Sequence, residues 1–172
     1  MHPRIAELIA YVDTQTAVLH EVYETVPPER RATRPAPDRW SPAEIIHHLA
    51  IVDRRVISRL SSLIEDARAL PRETETTSVL TAGLSGRAAD RTRRFVTSEM
   101  AEPRNTEPER VWDDLMATRQ DLMRVVEAGD GLSLGSVSAP HPALGVLTAY
   151  DWIAFIGAHA ARHADQMRES LA

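Results

Sequence analysis

The stretch Trp40-Ser41-Pro42-Ala43-Glu44-Ile45-Ile46-His47-His48-Leu49-Ala50 opens a helix and carries two adjacent histidines. Ser41 and Glu44 stand three residues apart, the spacing of a reciprocal N-terminal capping box. Pro42 falls at the first helical position, where its missing N–H costs nothing. Behind this start, Ile45, Leu49, Val52, Val56, Leu60 and Leu63 repeat at helical spacing, which predicts a helix over 42–66. Pro71 closes the segment. At about 100° per residue, His48 falls at the edge of this apolar stripe and His47 on the outward face. His48 is therefore expected to look into a core and His47 to be dispensable for anything bound there.

Three further segments follow the same period. Ile5, Leu8, Ile9, Val12, Thr16, Leu19, Tyr23 and Val26 predict a helix over 3–26, stopped by Pro27-Pro28. Thr106-Glu107-Pro108-Glu109 reads as a second capping box and predicts a helix over 107–128, ended by Gly129 and Gly131. Residues 129–147 read as a Gly/Ser/Pro loop, and Thr148 as the cap of a last helix over 149–171. Residues 72–105 are interrupted by Gly83, Gly86 and Pro103, with a short helix expected over 86–100. No stretch alternates long enough to demand a strand. The expected fold is all-α: one four-helix bundle domain over 1–172, with a long irregular or short-helical connection between its second and third core helices.

Composition narrows the function. At 172 residues the chain is long enough for one domain of about 150 residues and needs no disulfide or metal merely to fold. It has no Cys, which removes thiolate metal sites and cysteine nucleophiles. All 20 basic residues are Arg, which removes Schiff-base and phosphate-loop lysines. The net charge of −5 argues against nucleic acid as a partner. No glycine-rich nucleotide loop is present. No apolar run is long enough to span a membrane, and the N-terminus lacks the shape of a secretory signal, so the expected location is the cytoplasm.

The seven histidines carry the chemistry: His2, His20, His47, His48, His141, His159 and His163. In the last helix, Trp152, Ile156, Ala160 and Met167 define an apolar face, and His159 and His163 lie on or beside it, one turn apart. A lone inward histidine is more often a hydrogen-bonded core residue than a ligand. Two on one apolar face are harder to explain, because each ring has polar nitrogens that need partners. Two imidazoles so placed can share one metal ion at about 2.0–2.1 Å. A third ligand must come from elsewhere: His48 is the inward candidate, with His20 and His141 as rivals. His159-Ala-Ala-Arg-His163 lacks a Glu after its first His, so the metalloprotease base is missing. Paired Glu-x-x-His motifs are missing too, which disfavours a di-iron bundle. Gln166 and Glu44 lie one turn from histidines and are candidates to support them, although Glu44 is better explained by its capping box and Gln166 equally well by a polar contact between helices. Trp40 reads mainly as an apolar staple before the helix.

Three stretches together resemble the DinB-like, or YfiT-like, family of metalloenzymes. They are Trp40 to Ala50, similar to the family's W-s-x-x-E-[IV]-x-x-H-L; His159-Ala-Ala-Arg-His163-Ala-Asp-Gln166, similar to its H-x-x-x-H-x-x-Q; and Pro103 to Arg119, similar to its Pro-containing loop and following helix. The resemblance implies an up-down-down-up bundle in which His48, His159 and His163 bind a divalent metal, zinc or nickel. It also implies frequent homodimers and, among characterised relatives, transfer of low-molecular-weight thiols such as bacillithiol or mycothiol to small-molecule electrophiles. Metal-assisted hydrolysis and a non-catalytic metal- or small-molecule-binding bundle are the alternatives. No catalytic residue beyond the ligands is indicated.

Overall fold

The computed structural model describes residues 1–80 and 99–171. Four long helices dominate them: α1 (Pro3–Glu24), α2 (Pro42–Ala67), α3 (Val111–Ala128) and α4 (Ala149–Leu171). A short antiparallel hairpin, β1 (Ser138–His141) and β2 (Gly145–Thr148), precedes α4. Helix α1 packs mainly on α4, and α2 packs on both α3 and α4. The fold is mostly helical, as expected, with the hairpin as an addition. The short helix expected over 86–100 lies mostly outside the described residues; Glu99–Ala101 form a single 3-10 turn.

Local chemistry sets the helix ends. In α2 both halves of the capping box are present: the Glu44 backbone N–H donates to Ser41 Oγ (3.2 Å) and the Ser41 N–H to Glu44 Oε2 (2.8 Å). Thr148 and Asp151 make an equivalent pair at α4, with Asp151 N–H to Thr148 Oγ1 at 3.2 Å and Thr148 N–H to Asp151 Oδ2 at 2.9 Å. Helix α1 is capped by His2, whose Nδ1 accepts from the Arg4 N–H.

The second expected capping box does not form. Helix α3 begins at Val111, four residues late, with no side-chain cap. The Thr106 hydroxyl that would have capped it is instead hydrogen-bonded to His47 Nδ1 at 2.9 Å. Asn105 just before it has φ 52, a left-handed conformation that breaks the helical path.

The loop expected over 129–147 contains the hairpin. Its strands have four residues each and include Pro140, so period-2 alternation never becomes visible. The turn is held by His141, whose Nδ1 accepts from the Ala143 and Leu144 N–H groups, and by Gly145 at φ 84. Ala139, Leu144 and Leu147 tuck under it into the core.

The core falls into two parts. One gathers Ile5, Leu8, Val12, Leu60, Leu122, Leu147 and Ile153 toward the hairpin end. The other gathers Leu19, Tyr23, Ile45, Leu49, Leu115 and Met167 toward the start of α2. Burying each such aliphatic side chain is worth roughly 1.5–3 kcal/mol. On α4, Ala158 belongs to the first cluster and Ala160 to the second, so His159 stands at the seam.

Candidate metal centre

Three histidines meet at that seam. His48 enters from α2, and His159 and His163 from successive turns of α4. They are 4%, 8% and 6% exposed, so all three rings are out of bulk water. Their ring centroids are 5.2 Å (His48–His159), 5.1 Å (His48–His163) and 4.6 Å (His159–His163) apart. One ring nitrogen from each lies within 4.8 Å of the others, and among the described residues no further His, Asp or Glu joins the group.

The hydrogen bonds decide which nitrogens face inward. His48 Nδ1–H donates to the Ala101 carbonyl at 2.7 Å, so Nε2 carries the lone pair. His163 Nδ1–H donates to Gln166 Oε1 at 2.8 Å, which likewise puts the lone pair on its Nε2. That Nε2 lies 3.0 Å from His159 Nε2. Orientation of one ring nitrogen by a carbonyl or amide, with the other left free, is the usual arrangement of a metal-ligating histidine. His159 departs from it, because its Nδ1 is buried without a hydrogen-bond partner. The ring is held instead by Phe155, stacked on it at 5.1 Å and 16°, while Trp40 leans on His48 at 4.7 Å. Three converging imidazoles, two with their outer nitrogens already bonded, could hold one metal ion.

Electrostatics favour the neutral form of His48 and His159. Burial pushes the His48 pKa below the ordinary value; the Ala101 carbonyl opposes this, and His47 adds to it. His159 is driven well below the ordinary value by burial first, then by its two histidine partners and the Arg119 and Arg162 charges. Neutral imidazole is the form that binds metal. Protons therefore do not compete for these two nitrogens at the usual imidazole pKa of about 6.5. Apparent metal affinity, measured by chelator competition, should change little between about pH 8 and 6.5 and fall only at lower pH. A loss of about two powers of ten per pH unit already near pH 6.5 would show ordinary, water-exposed imidazoles.

The other sequence candidates separate cleanly. His20 is exposed and stacks on Trp112 at 4.4 Å, away from the group. His141 packs on Trp152 and Phe155, one ring removed from His159. His47 does not point into the cluster, yet it is half-buried against Thr106 rather than solvated. Gln166 supports His163 directly. The Glu44 carboxylate is taken up by the Ser41 N–H and by a bidentate pair with Arg34 at 2.6–3.1 Å. Burial pushes the Glu44 pKa up, but these donors outweigh it and leave it lowered.

A cavity of about 190 Å³ opens at this end of the bundle, lined by Ala32, Ser41, Glu44, Pro103, Asn105 and Thr106. None of the three histidines lines it. It shares its wall with the 101–106 segment that holds His48.

Two features escaped the sequence reading. The Ala101 carbonyl is a backbone group in a segment without periodicity, and no residue type announces it. Asp53 and Arg119 form a buried pair, 0% and 4% exposed, with Arg119 Nε 2.8 Å from Asp53 Oδ2. A charged residue close to an apolar stripe on each of two helices was the available signal.

A family model described as the DinB superfamily matches residues 4–167. The uncharacterized protein YuaE of Bacillus subtilis (strain 168) is 27% identical over 143 residues, covering 82% of this chain and 83% of that protein. No solved structure matches significantly. The family is metal-binding, and the histidine group on α2 and α4 is compatible with that property. With the match running over nearly its whole length, the chain belongs to the DinB superfamily.

Proposed function

We propose that this protein is a metal-dependent enzyme that joins a low-molecular-weight thiol, of the bacillithiol or mycothiol type, to a small-molecule electrophile. His48, His159 and His163 would hold one divalent ion, zinc or nickel. The observation that carries this reading is the convergence of one ring nitrogen from each of three buried histidines within 4.8 Å. The ion would supply Lewis acidity, lowering the pKa of a thiol at a position the protein leaves open. The chain's own part is to keep the His48 and His159 imidazoles neutral, to fix the His48 and His163 rings through Ala101 and Gln166, and to exclude water with Trp40 and Phe155. The cavity beside the 101–106 segment is where the rest of a substrate would rest. The up-down-down-up helix order, a single domain, a homodimer and a cytoplasmic location complete the reading. Among the described residues, no helix is long and apolar enough to cross a membrane.

Hydrolysis by an activated water is the second reading. It is less favoured because, among the described residues, no carboxylate oxygen belongs to the histidine group to serve as base. The test is electrophile turnover by metal-loaded and chelator-stripped protein, with and without a panel of small thiols. Thiol- and metal-dependent adduct formation is the expected result. Metal-dependent turnover to a water adduct without thiol would favour the hydrolase. No turnover of either kind by metal-loaded protein would favour the non-catalytic bundle.

A further inference from the structure

The two adjacent histidines of α2 grip one and the same segment. His48 reaches it through the Ala101 carbonyl at 2.7 Å, and His47 through the Thr106 hydroxyl at 2.9 Å. Between these anchor points the chain buries Ala101 and Pro103 and turns back at Asn105 with φ 52. Ala101 itself has no side chain that could hold its carbonyl in place. The carbonyl stays over His48 Nδ1 only if the segment is fixed at another point. On α2 that point is His47, one residue away and facing about 100° around the helix.

We propose that His47 and Thr106 form a positioning clamp for His48. Their hydrogen bond ties the 101–106 segment across the start of α2, keeps the Ala101 carbonyl on His48 Nδ1, and so holds the His48 Nε2 lone pair toward His159 and His163. Neither residue belongs to the histidine group that would hold the ion, although Thr106 also lines the neighbouring cavity. The clamp gives the Thr106 hydroxyl a task that outranks capping α3, which accounts for the late start of that helix. It also gives His47 a role that its outward phase on α2 concealed. The proposal rests on the reading of His48 as a ligand, but its first test needs no metal.

The test uses the full chain with Thr106→Val, Thr106→Ser, His47→Ala and the double variant His47→Ala/Thr106→Val. In metal-free protein, nitrogen NMR of the histidine rings should show His48 as the Nδ1–H tautomer in the wild type and in Thr106→Ser. Thr106→Val and His47→Ala should show a mixture containing the Nε2–H form. Zinc affinity by chelator competition should fall about tenfold in Thr106→Val, in the range reported for groups that orient a ligand. It should return in Thr106→Ser and fall no further in the double variant than in the weaker-binding single one. Unchanged His48 tautomer and zinc affinity in Thr106→Val would overturn the clamp, as would independent, multiplying losses in the double variant. A tautomer change with wild-type protein that binds no zinc would keep the clamp and remove the metal reading instead.

Discussion

His159→Ala and His48→Ala are each expected to leave the protein folded and strip it of its metal. The affinity loss should exceed the roughly 10–100-fold typical of groups that only orient a ligand, because each change removes one of three nitrogens outright. Alanine is the best helix former, so neither α4 nor α2 loses its backbone preference. His159→Ala should even be relieved of a polar burden, since His159 Nδ1 has no partner in the interior, whereas His48→Ala gives up the bond to the Ala101 carbonyl. His20→Ala and His141→Ala should retain the metal, as both rings lie outside the group. Metal retention by His159→Ala at wild-type affinity, with loss in His20→Ala, would place the site elsewhere.

Arg119→Met should be the most destabilising single change near the site, and for a different reason. Arg119 and Asp53 are both buried, at ion-pair distance but too poorly aligned for full hydrogen bonds, and the Arg119 Nη atoms have no partner. Burial pushes the Asp53 pKa up to about 6 even against the opposing Arg119 charge. Removing one member of a buried pair costs about 3–5 kcal/mol, which at 2–4 °C per kcal/mol for a chain of this size lowers Tm by roughly 6–20 °C. The sign of the pH dependence follows. Without Arg119, the folded state favours protonated Asp53 still more, so the loss relative to wild type should grow as pH rises above the wild-type folded value of about 6 and shrink toward acid. Asp53→Leu/Arg119→Met should recover most of the stability, because a matched apolar pair has no charges to desolvate. Thermal unfolding at two pH values measures both effects. A Tm within about 2 °C of wild type for Arg119→Met would show that water reaches the pair.

Much of this architecture was legible because it is written locally. The capping box at Ser41–Glu44, the stripe from Ile45 to Leu63 and the i, i+4 pair His159–His163 each depend on residues within a few turns. Helical phase alone separated His48 from His47. The rest was hidden where a local signal lost to a tertiary one. Thr106 carries a cap motif, yet its hydroxyl bonds across to His47. The hairpin's strands are four residues long and the first contains proline, so they leave no alternation. The Ala101 carbonyl and the Asp53–Arg119 pair arise only when α2, α3 and the preceding segment are brought together. His47 shows the limit best: phase placed it outside the cluster, which is where it lies, but phase says nothing about what covers that face.

The central claim is that the three histidines hold a metal with a position left open to a thiol. It is tested most directly by metal analysis and X-ray absorption on protein purified without a polyhistidine tag, before and after addition of a small thiol. One equivalent of zinc or nickel is predicted, with three imidazole nitrogens at about 2.0–2.1 Å and a light-atom ligand replaced by sulfur at about 2.3 Å. Less than a tenth of an equivalent after reconstitution, or a fourth protein ligand that thiol does not displace, would contradict it.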